Sequence, residues 1–171
     1  MTTKIAPARD HVDGRLDEIG DTFPDLDIDV EGIVERIQGL ERRFRLAMQE
    51  TLEAHGLAYG EWKVLSTLHC AGDGTSTPGE LSHKLELSSG AMTNRLDQLE
   101  RAGFVHRRPD PSDRRGVRIE LTDEGRQIYL ESTNAQAIKE ALVASALSKE
   151  EQHRLNALLR KLMLEFERNE P

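Results

Sequence analysis

Small polar side chains that suit DNA recognition are concentrated in the middle of the chain. Hydroxyl, amide and guanidinium groups follow one another closely at Ser88, Ser89, Thr93, Asn94 and Arg95. In the major groove an amide can pair with adenine and a guanidinium with guanine, whereas hydroxyls commonly donate to phosphates. We therefore predict that this segment contacts double-stranded DNA, with Asn94 and Arg95 at the base edges.

The same residues also have structural explanations that the sequence leaves open. A serine at the start of a helix accepts hydrogen bonds from the free amides of the first turn, so Ser88 and Ser89 can be helix caps. Arg95 is adjacent to Leu96, which belongs to an apolar stripe, and it can instead pair with a carboxylate inside the protein.

Arginines form a second cationic group around a turn. The segment Pro109-Asp110-Pro111-Ser112-Asp113 has turn chemistry, and four arginines flank it, at positions 107, 108, 114 and 115. Apolar residues alternate at positions 117, 119 and 121, which is typical of a strand, and another strand begins at Phe104-Val105. A hairpin with arginines at its tip suits a minor groove or flanking phosphates. Arg114 and Arg115 are therefore predicted DNA contacts, with a solvated charged loop as the alternative.

Two short helices are predicted to precede this hairpin. Thr77-Pro78-Gly79-Glu80 has the residues of a helix start, because the threonine can cap, the proline fits the first position and the glutamate completes a capping box. The second helix runs from Ser88 or Ser89 to about Ala102 and has an apolar stripe at Met92, Leu96 and Leu99. Two helices separated by about three residues form a helix-turn-helix, and the hairpin after them is a wing.

Amphipathic helices are predicted on both sides of this motif. The apolar periodicity indicates helices over 29–54, 60–71, 122–144 and 148–168, and a short one over 9–19 within the polar extension of residues 1–28. The alternative for residues 1–28 is a disordered tail without this helix. The predicted fold class is mainly α with a small β-hairpin wing. Residues 29–168 then form one domain, with a winged helix-turn-helix lobe at 60–121 and dimerisation helices at 29–56 and 122–168.

The terminal helices have more apolar surface than a small winged lobe can cover. The last helix has a stripe at Leu155, Leu158, Leu159, Leu162 and Phe166. Such a stripe is usually buried against something, so we predict a homodimer. A two-fold dimer contacts two half-sites about one helical turn apart, which predicts a pseudo-palindromic operator.

Positive charge is concentrated on the predicted wing although the whole chain has a net charge of −8. Residues 101–118 contain 6 arginines and 2 aspartates, whereas residues 1–76 contain 8 basic and 15 acidic groups. Screening is effective beyond about 8 Å at physiological salt, so attraction to phosphates is local. The acidic remainder therefore permits DNA binding and reduces non-specific affinity.

Several other classes of protein and site are not indicated. No apolar run approaches the roughly 20 residues of a membrane span, and the N-terminus lacks the apolar core of a signal peptide, so we expect a cytoplasmic protein with no membrane partner. The single cysteine, Cys70, and six scattered histidines show no metal-ligand spacing, and we predict neither metal nor cofactor. Nucleophile-elbow, P-loop and dinucleotide motifs do not occur, which argues against an enzyme.

The run LSSGAMTNRLDQLERAGFVHRRPDPSDRRGVRIELTDEG resembles the winged helix-turn-helix of the MarR family of bacterial transcriptional regulators. Asp113-Arg114-Arg115 matches the D-x-R wing signature of that family, and Leu121-Thr122 with Gly125 matches its LT..G exit. The resemblance implies a homodimer with intertwined terminal helices, usually a repressor released by a small molecule. It also implies that Asp113 braces Arg115, which leaves Arg114 freer to contact DNA.

The segments GEWKVL and FPDLD resemble a PecS-like subgroup that has an extra N-terminal helix and includes urate-responsive members. The ligand site of that subgroup implies roles for two arginines, here Arg95 and Arg107, and for a tryptophan and an aspartate. Ile19 occupies the tryptophan position, and Lys63, just after Trp62, occupies the aspartate position, which argues against urate. A cationic pocket at these positions would favour an anion such as a di- or tricarboxylate. The alternative is that Lys63 faces solvent and no ligand binds.

The predicted function is a homodimeric, sequence-specific DNA-binding regulator. Repression, as the mode of regulation, is implied by the family resemblance alone. Two alternatives remain at this point. One is a helical protein-interaction module with a vestigial winged domain, which the acidic surface allows, and the other is a DNA-binding protein without a ligand.

Overall fold

A computed structural model of the chain describes residues 8–111 and 116–169. The described residues form helices and strands in the order α1 (His11–Thr22), α2 (Ile28–Ala54), α3 (Tyr59–Cys70), β1 (Thr75–Ser76), α4 (Pro78–Lys84), α5 (Ser89–Arg101), β2 (Val105–Pro109), β3 (Val117–Leu121), α6 (Asp123–Ala144) and α7 (Lys149–Asn169). The chain divides within α2 into two compact units, Met1–Ala47 and Met48–Pro171. The mainly helical fold class with a small wing is confirmed, whereas the predicted domain boundaries stay a prediction.

In the first unit α1 packs on the N-terminal part of α2. Val12 and Leu16 are the buried residues of α1, and Asp10 caps its N-terminus in a capping box with Asp13. The Arg36 guanidinium donates to Asp10 at 3.0 Å and to Asp13 at 2.6 Å. The hydrogen bond from Arg36 is the main reason that the pKa of Asp10 lies below its usual value. The short helix expected over 9–19 is therefore present, and ion pairs hold it on α2.

The core of the second unit lies between helices α3, α4, α5 and α6 and the sheet. Fully buried leucines from α2, α3, α4 and α5 meet there, at Leu52, Leu65, Leu68, Leu81, Leu96 and Leu99, together with Val105 and Ile119 from the strands. Met92, Leu96 and Leu99 are buried as predicted, because their spacing places them on one face of α5.

The sheet has three antiparallel strands in the order β1-β3-β2. β2 and β3 form the predicted hairpin, with Val105 opposite Leu121 and Pro109 opposite Val117. β1 was not predicted, since a strand of two residues, Thr75 and Ser76, is too short to show an alternating pattern. It pairs with β3 and so attaches the wing to the start of the helix-turn-helix.

The turn between α4 and α5 contains an unusual backbone conformation. Glu86 has φ 53°, in the left-handed region, and the Leu87 amide donates to the Ser82 carbonyl at 2.9 Å. This is the helix-ending arrangement in which glycine usually occupies the left-handed position. The side chain of Glu86 is exposed, so the residue contributes strain without compensating burial.

Glu86→Gly is expected to raise the free energy of unfolding by about 1 kcal/mol. The left-handed conformation costs a non-glycine residue roughly 1–2 kcal/mol, and part of this gain is lost because glycine gives up more conformational entropy on folding. Urea unfolding followed by circular dichroism, at one protein concentration, measures the change. Glu86→Ala is the control, since it removes the charge and keeps the Cβ. A glycine variant no more stable than the alanine variant would contradict the assignment of strain.

Gly125, in the first turn of α6, is required by a close approach of two backbone segments. The Thr122 amide donates to the Phe104 carbonyl oxygen at 3.1 Å, and the Thr122 hydroxyl accepts from the Gly125 amide at 2.9 Å. A Cβ added at Gly125 would overlap that same Phe104 oxygen and lie 3.0 Å from Leu121. The glycine of the LT..G segment therefore allows α6 to begin directly against the end of α5.

The last helix begins with the predicted capping box, and its first turn is held to the end of α6 by Gln152, which donates to the Ala144 carbonyl at 2.8 Å. The Ser148 amide donates to the Glu151 carboxylate at 2.8 Å, and the Glu151 amide donates to the Ser148 hydroxyl at 3.3 Å. None of the side chains of α7 is buried.

Among the described residues, no helix is both long enough and apolar enough to cross a membrane.

Candidate nucleic-acid interface

The face of α5 opposite its buried stripe is solvent-exposed and polar. The predicted residues Ser88, Ser89, Thr93 and Asn94 are all exposed, and Gln98 continues the same face. No acidic residue lies in the first turn of α5. The helix therefore presents hydroxyls near its N-terminus, the end that in a helix-turn-helix contacts base edges, and amides farther along the same face.

The hydroxyls of this face have structural partners and still offer a group to DNA. Ser88 caps α5 by accepting from the Ala91 amide at 3.3 Å, so the capping explanation holds for Ser88. Thr93 donates to the Ser89 carbonyl at 2.9 Å. Because a hydroxyl is both donor and acceptor, Ser88 can still donate and Thr93 can still accept. Their predicted contacts with DNA remain predictions.

Asn94 is not isolated on the helix surface. The Gln98 side-chain amide donates to the Asn94 Oδ1 at 3.1 Å. Gln98 was not among the residues predicted from the sequence, although its position four residues after Asn94 places both on one face of the helix.

Arg107 on β2 joins the wing to α5 through two ion pairs. Its guanidinium donates to Asp97 and to Glu100, both at 2.6 Å, and its backbone amide donates to Glu100 at 3.2 Å. Partial burial acts to lower the pKa of Arg107, but Asp97 and Glu100 keep it above the ordinary value. The charge that was predicted to face an anionic ligand is thus engaged by two carboxylates, and it offsets part of the negative charge of α5.

Arg95 faces α3 rather than the outer face of α5. Its guanidinium lies so close to Gly60 that a Cβ there would be 2.5 Å from the Arg95 Cζ. The side chain is partly buried, and within the described part of the chain it has neither an ion pair nor a hydrogen bond. The alternative of an internal carboxylate partner is therefore not seen among these residues, and a base contact would require the side chain to turn outward.

The other residues of the predicted ligand site lie on α3 and α1. Lys63 is exposed, three residues after Gly60, with its Nζ 5.4 Å from the centre of the Tyr59 ring. Trp62 is half-buried, and its Nε1 donates to the Thr133 hydroxyl at 3.3 Å. Ile19 belongs to α1 in the first unit. The structure thus places Lys63 and Arg95 along the start of α3, whereas Arg107 belongs to the wing.

The wing strands contain two further arginines. Arg108 pairs with Glu120 across the hairpin at 3.3 Å. Arg118 has a buried Nε without a hydrogen-bond partner in the described residues, and its charge helps to lower the pKa of Glu80, after the larger effect of the Thr77 amide. The predicted wing residues Asp113, Arg114 and Arg115 lie outside the described residues.

Metal chemistry has no evident site in the part of the chain that the structure describes. No group of three or more histidine, cysteine, aspartate or glutamate side chains is placed to hold an ion there. Cys70 is exposed and forms no disulfide.

Comparisons with known proteins agree with this geometry. The model of the MarR family matches residues 57–117. The HTH-type transcriptional regulator PecS of Dickeya dadantii is 31% identical over 137 residues, covering 80% of this chain and 82% of PecS. The HTH-type transcriptional repressor YetL of Bacillus subtilis is 29% identical over 126 residues, covering 74% of this chain and 73% of YetL.

Solved structures show the same fold. The YusO protein from Bacillus subtilis superposes with a TM-score of 0.71 at 26% identity, covering 79% of this chain and 94% of YusO. Members of the family regulate transcription and are not enzymes. The family match, the extent of the PecS alignment and the winged lobe together place the chain in the MarR family, as a DNA-binding transcriptional regulator.

Proposed function

We propose that this regulator acts as a homodimeric repressor that binds a pseudo-palindromic operator, with one α5 in the major groove of each half-site. The observation that carries the proposal is the exposed polar face of α5, the second helix of the helix-turn-helix. The proposed site of action is the cytoplasm, where a bacterial regulator meets chromosomal DNA.

Local charge supports DNA binding in spite of the net charge of −8. The only two carboxylates of α5, Asp97 and Glu100, both accept from Arg107, which reduces their repulsion of phosphates. The cations of residues 101–118 are close to this helix in sequence, and two of them, Arg107 and Arg108, are on β2. Because attraction to phosphates decays within about 8–10 Å, the acidic parts of the chain weaken it little.

The exposed apolar surface of α7 supports a dimer. Most of the stability of a helix in a protein comes from packing of its apolar face, and α7 has no buried side chain in the single chain. Its apolar stripe is open to solvent in the single chain, at Leu155, Leu158, Leu159, Leu162 and Phe166. A second copy of the chain can cover this stripe, and the two copies would then present two α5 helices to two half-sites.

A small anionic effector is the second part of the proposal. Lys63 and Arg95 lie along the start of α3, and neither has a carboxylate partner among the described residues. A guanidinium and an ammonium group without carboxylate partners favour the binding of a di- or tricarboxylate. A ligand bound there would favour a dimer conformation whose half-site spacing the operator cannot match, and so release the DNA.

Operator binding is tested by fluorescence anisotropy with the promoter DNA beside the protein's own gene, titrated at several salt concentrations. We expect the logarithm of the binding constant to fall linearly with the logarithm of salt concentration. Arg114→Ala should reduce that slope by about one phosphate contact per site. Arg160→Ala, on α7, is the matched control and should leave the slope unchanged. Absence of binding by the wild-type protein at low salt would contradict the proposal.

The same assay at fixed salt tests the effector when di- and tricarboxylates and urate are added in turn. One carboxylate should lower the affinity for the operator. The Lys63→Ala variant should require about tenfold more of that carboxylate for the same decrease, because one charged contact is lost. If no compound changes the affinity, and calorimetry detects no heat of binding, the regulator binds DNA without such an effector.

A further inference from the structure

The exposed face of α5 has one pair of side-chain amides that bond to each other. The Gln98 Nε2 donates to the Asn94 Oδ1 at 3.1 Å, and both side chains are exposed. Neither side chain caps the helix: the caps of α5 are Ser88 and Ala102. The buried stripe of α5 consists of Met92, Leu96 and Leu99, so the amide pair is available for contact with another molecule.

The hydrogen bond between the two amides determines what the pair offers outward. With the Asn94 oxygen engaged, Asn94 still has its Nδ2 donors, and Gln98 still has its Oε1 acceptor. Turning both amides over exchanges the two roles and leaves the same combination. The pair therefore always presents one donor beside one acceptor.

This combination matches one base edge in the major groove better than the others. Adenine presents the N7 acceptor beside the N6 donor, whereas guanine presents two acceptors, N7 and O6. A single asparagine can contact adenine alone, but its amide rotates freely on an exposed helix. Bonding to Gln98 restricts that rotation, which lowers the entropy lost when the base is bound.

We infer that Gln98 is a specificity-determining residue of this regulator, and that Asn94 and Gln98 contact one adenine of each half-site as a unit. This inference rests on the proposed function, because it requires α5 to enter the major groove. It assigns to Gln98 a role in base recognition. By contrast, the exposed pair of Gln127 and Glu131 on α6 only stabilises its helix.

The test is selection of bound sequences from a library of randomised operators, with the full-length protein and its Asn94→Ala, Gln98→Ala and doubly substituted forms. The wild-type protein should enrich adenine at one position of each half-site. Gln98→Ala should reduce the preference for adenine there by about tenfold and leave the other positions and the salt dependence unchanged. The double variant should lose little more than either single variant, because the two residues act together.

Gln127→Ala is the matched control, since it removes another exposed glutamine from an i, i+4 pair and should leave every preference unchanged. If Gln98→Ala keeps the wild-type preference at all positions, the pair only stabilises the helix and the inference is wrong. If the wild-type protein enriches no sequence, both the proposed function and the inference fail. A preference for guanine at the affected position would also overturn the assignment to adenine.

Discussion

Replacing Leu158 and Leu162 together with glutamate is expected to turn the protein into a monomer that no longer binds its operator. The two leucines are 55% and 44% exposed in the single chain. Burying a leucine stabilises an interface by about 1.5–3 kcal/mol, and an unpaired carboxylate in the same place opposes association further. Because the symmetry doubles each change, the dimer dissociation constant should rise at least about a thousandfold.

Sedimentation equilibrium measures the dissociation constant, and the anisotropy assay measures operator binding by the same samples. None of the side chains of α7 is buried, so the substitutions should leave the core of the second unit intact, and circular dichroism checks this. Arg160→Glu is the control, since it introduces the same side chain into the same helix away from the apolar stripe. If the doubly substituted protein still sediments as a dimer, α7 does not form the interface.

Gly125→Ala is expected to lower the free energy of unfolding by about 3 kcal/mol, because the new methyl group would overlap the Phe104 carbonyl oxygen. The Phe104 oxygen is a backbone atom and a Cβ is fixed directly to the backbone, so neither can rotate away as a longer side chain would. Moving α6 outward would also stretch the hydrogen bond from the Thr122 amide to Phe104. For a chain of this length, such a change should lower the melting temperature by roughly 6–12 °C.

Thermal and urea unfolding measure this effect, and Gly14→Ala is the matched control. Gly14 is in α1, and a Cβ added there would have no atom within 4 Å. Alanine is favoured over glycine in a helix by about 1 kcal/mol, so this second variant should be as stable as the wild type or more so. If Gly125→Ala is as stable as the wild type, α6 and Phe104 do not approach as closely as described.

Local signals in the sequence were sufficient to predict the helix-turn-helix. The capping box of Thr77 and Glu80 is present, with the Thr77 amide donating to Glu80 at 2.9 Å, and Ser88 caps α5. Gly103, after α5, has φ 77°. These features involve residues at most four positions apart, so their physical basis is visible in the sequence itself.

The partner of a charged side chain could not be predicted in this way. Arg107 was expected in a ligand pocket, but strand pairing directs it to two carboxylates of α5, seven and ten residues earlier in the chain. Arg95 lies against Gly60, which is distant in sequence. An arginine has similar affinity for many anionic groups, so its partner depends on which of them the packed backbone brings within reach.

By itself the sequence determined the order of helices and strands, the polar face of α5 and the position of the wing, because periodicity and capping act between near neighbours. Only the tertiary structure decided that β1 completes the sheet, that Gly125 must lack a side chain and that Arg107 joins the wing to α5. Each of these depends on backbone segments that meet only after the helices pack, and steric overlap and ion pairing then act over a few ångströms.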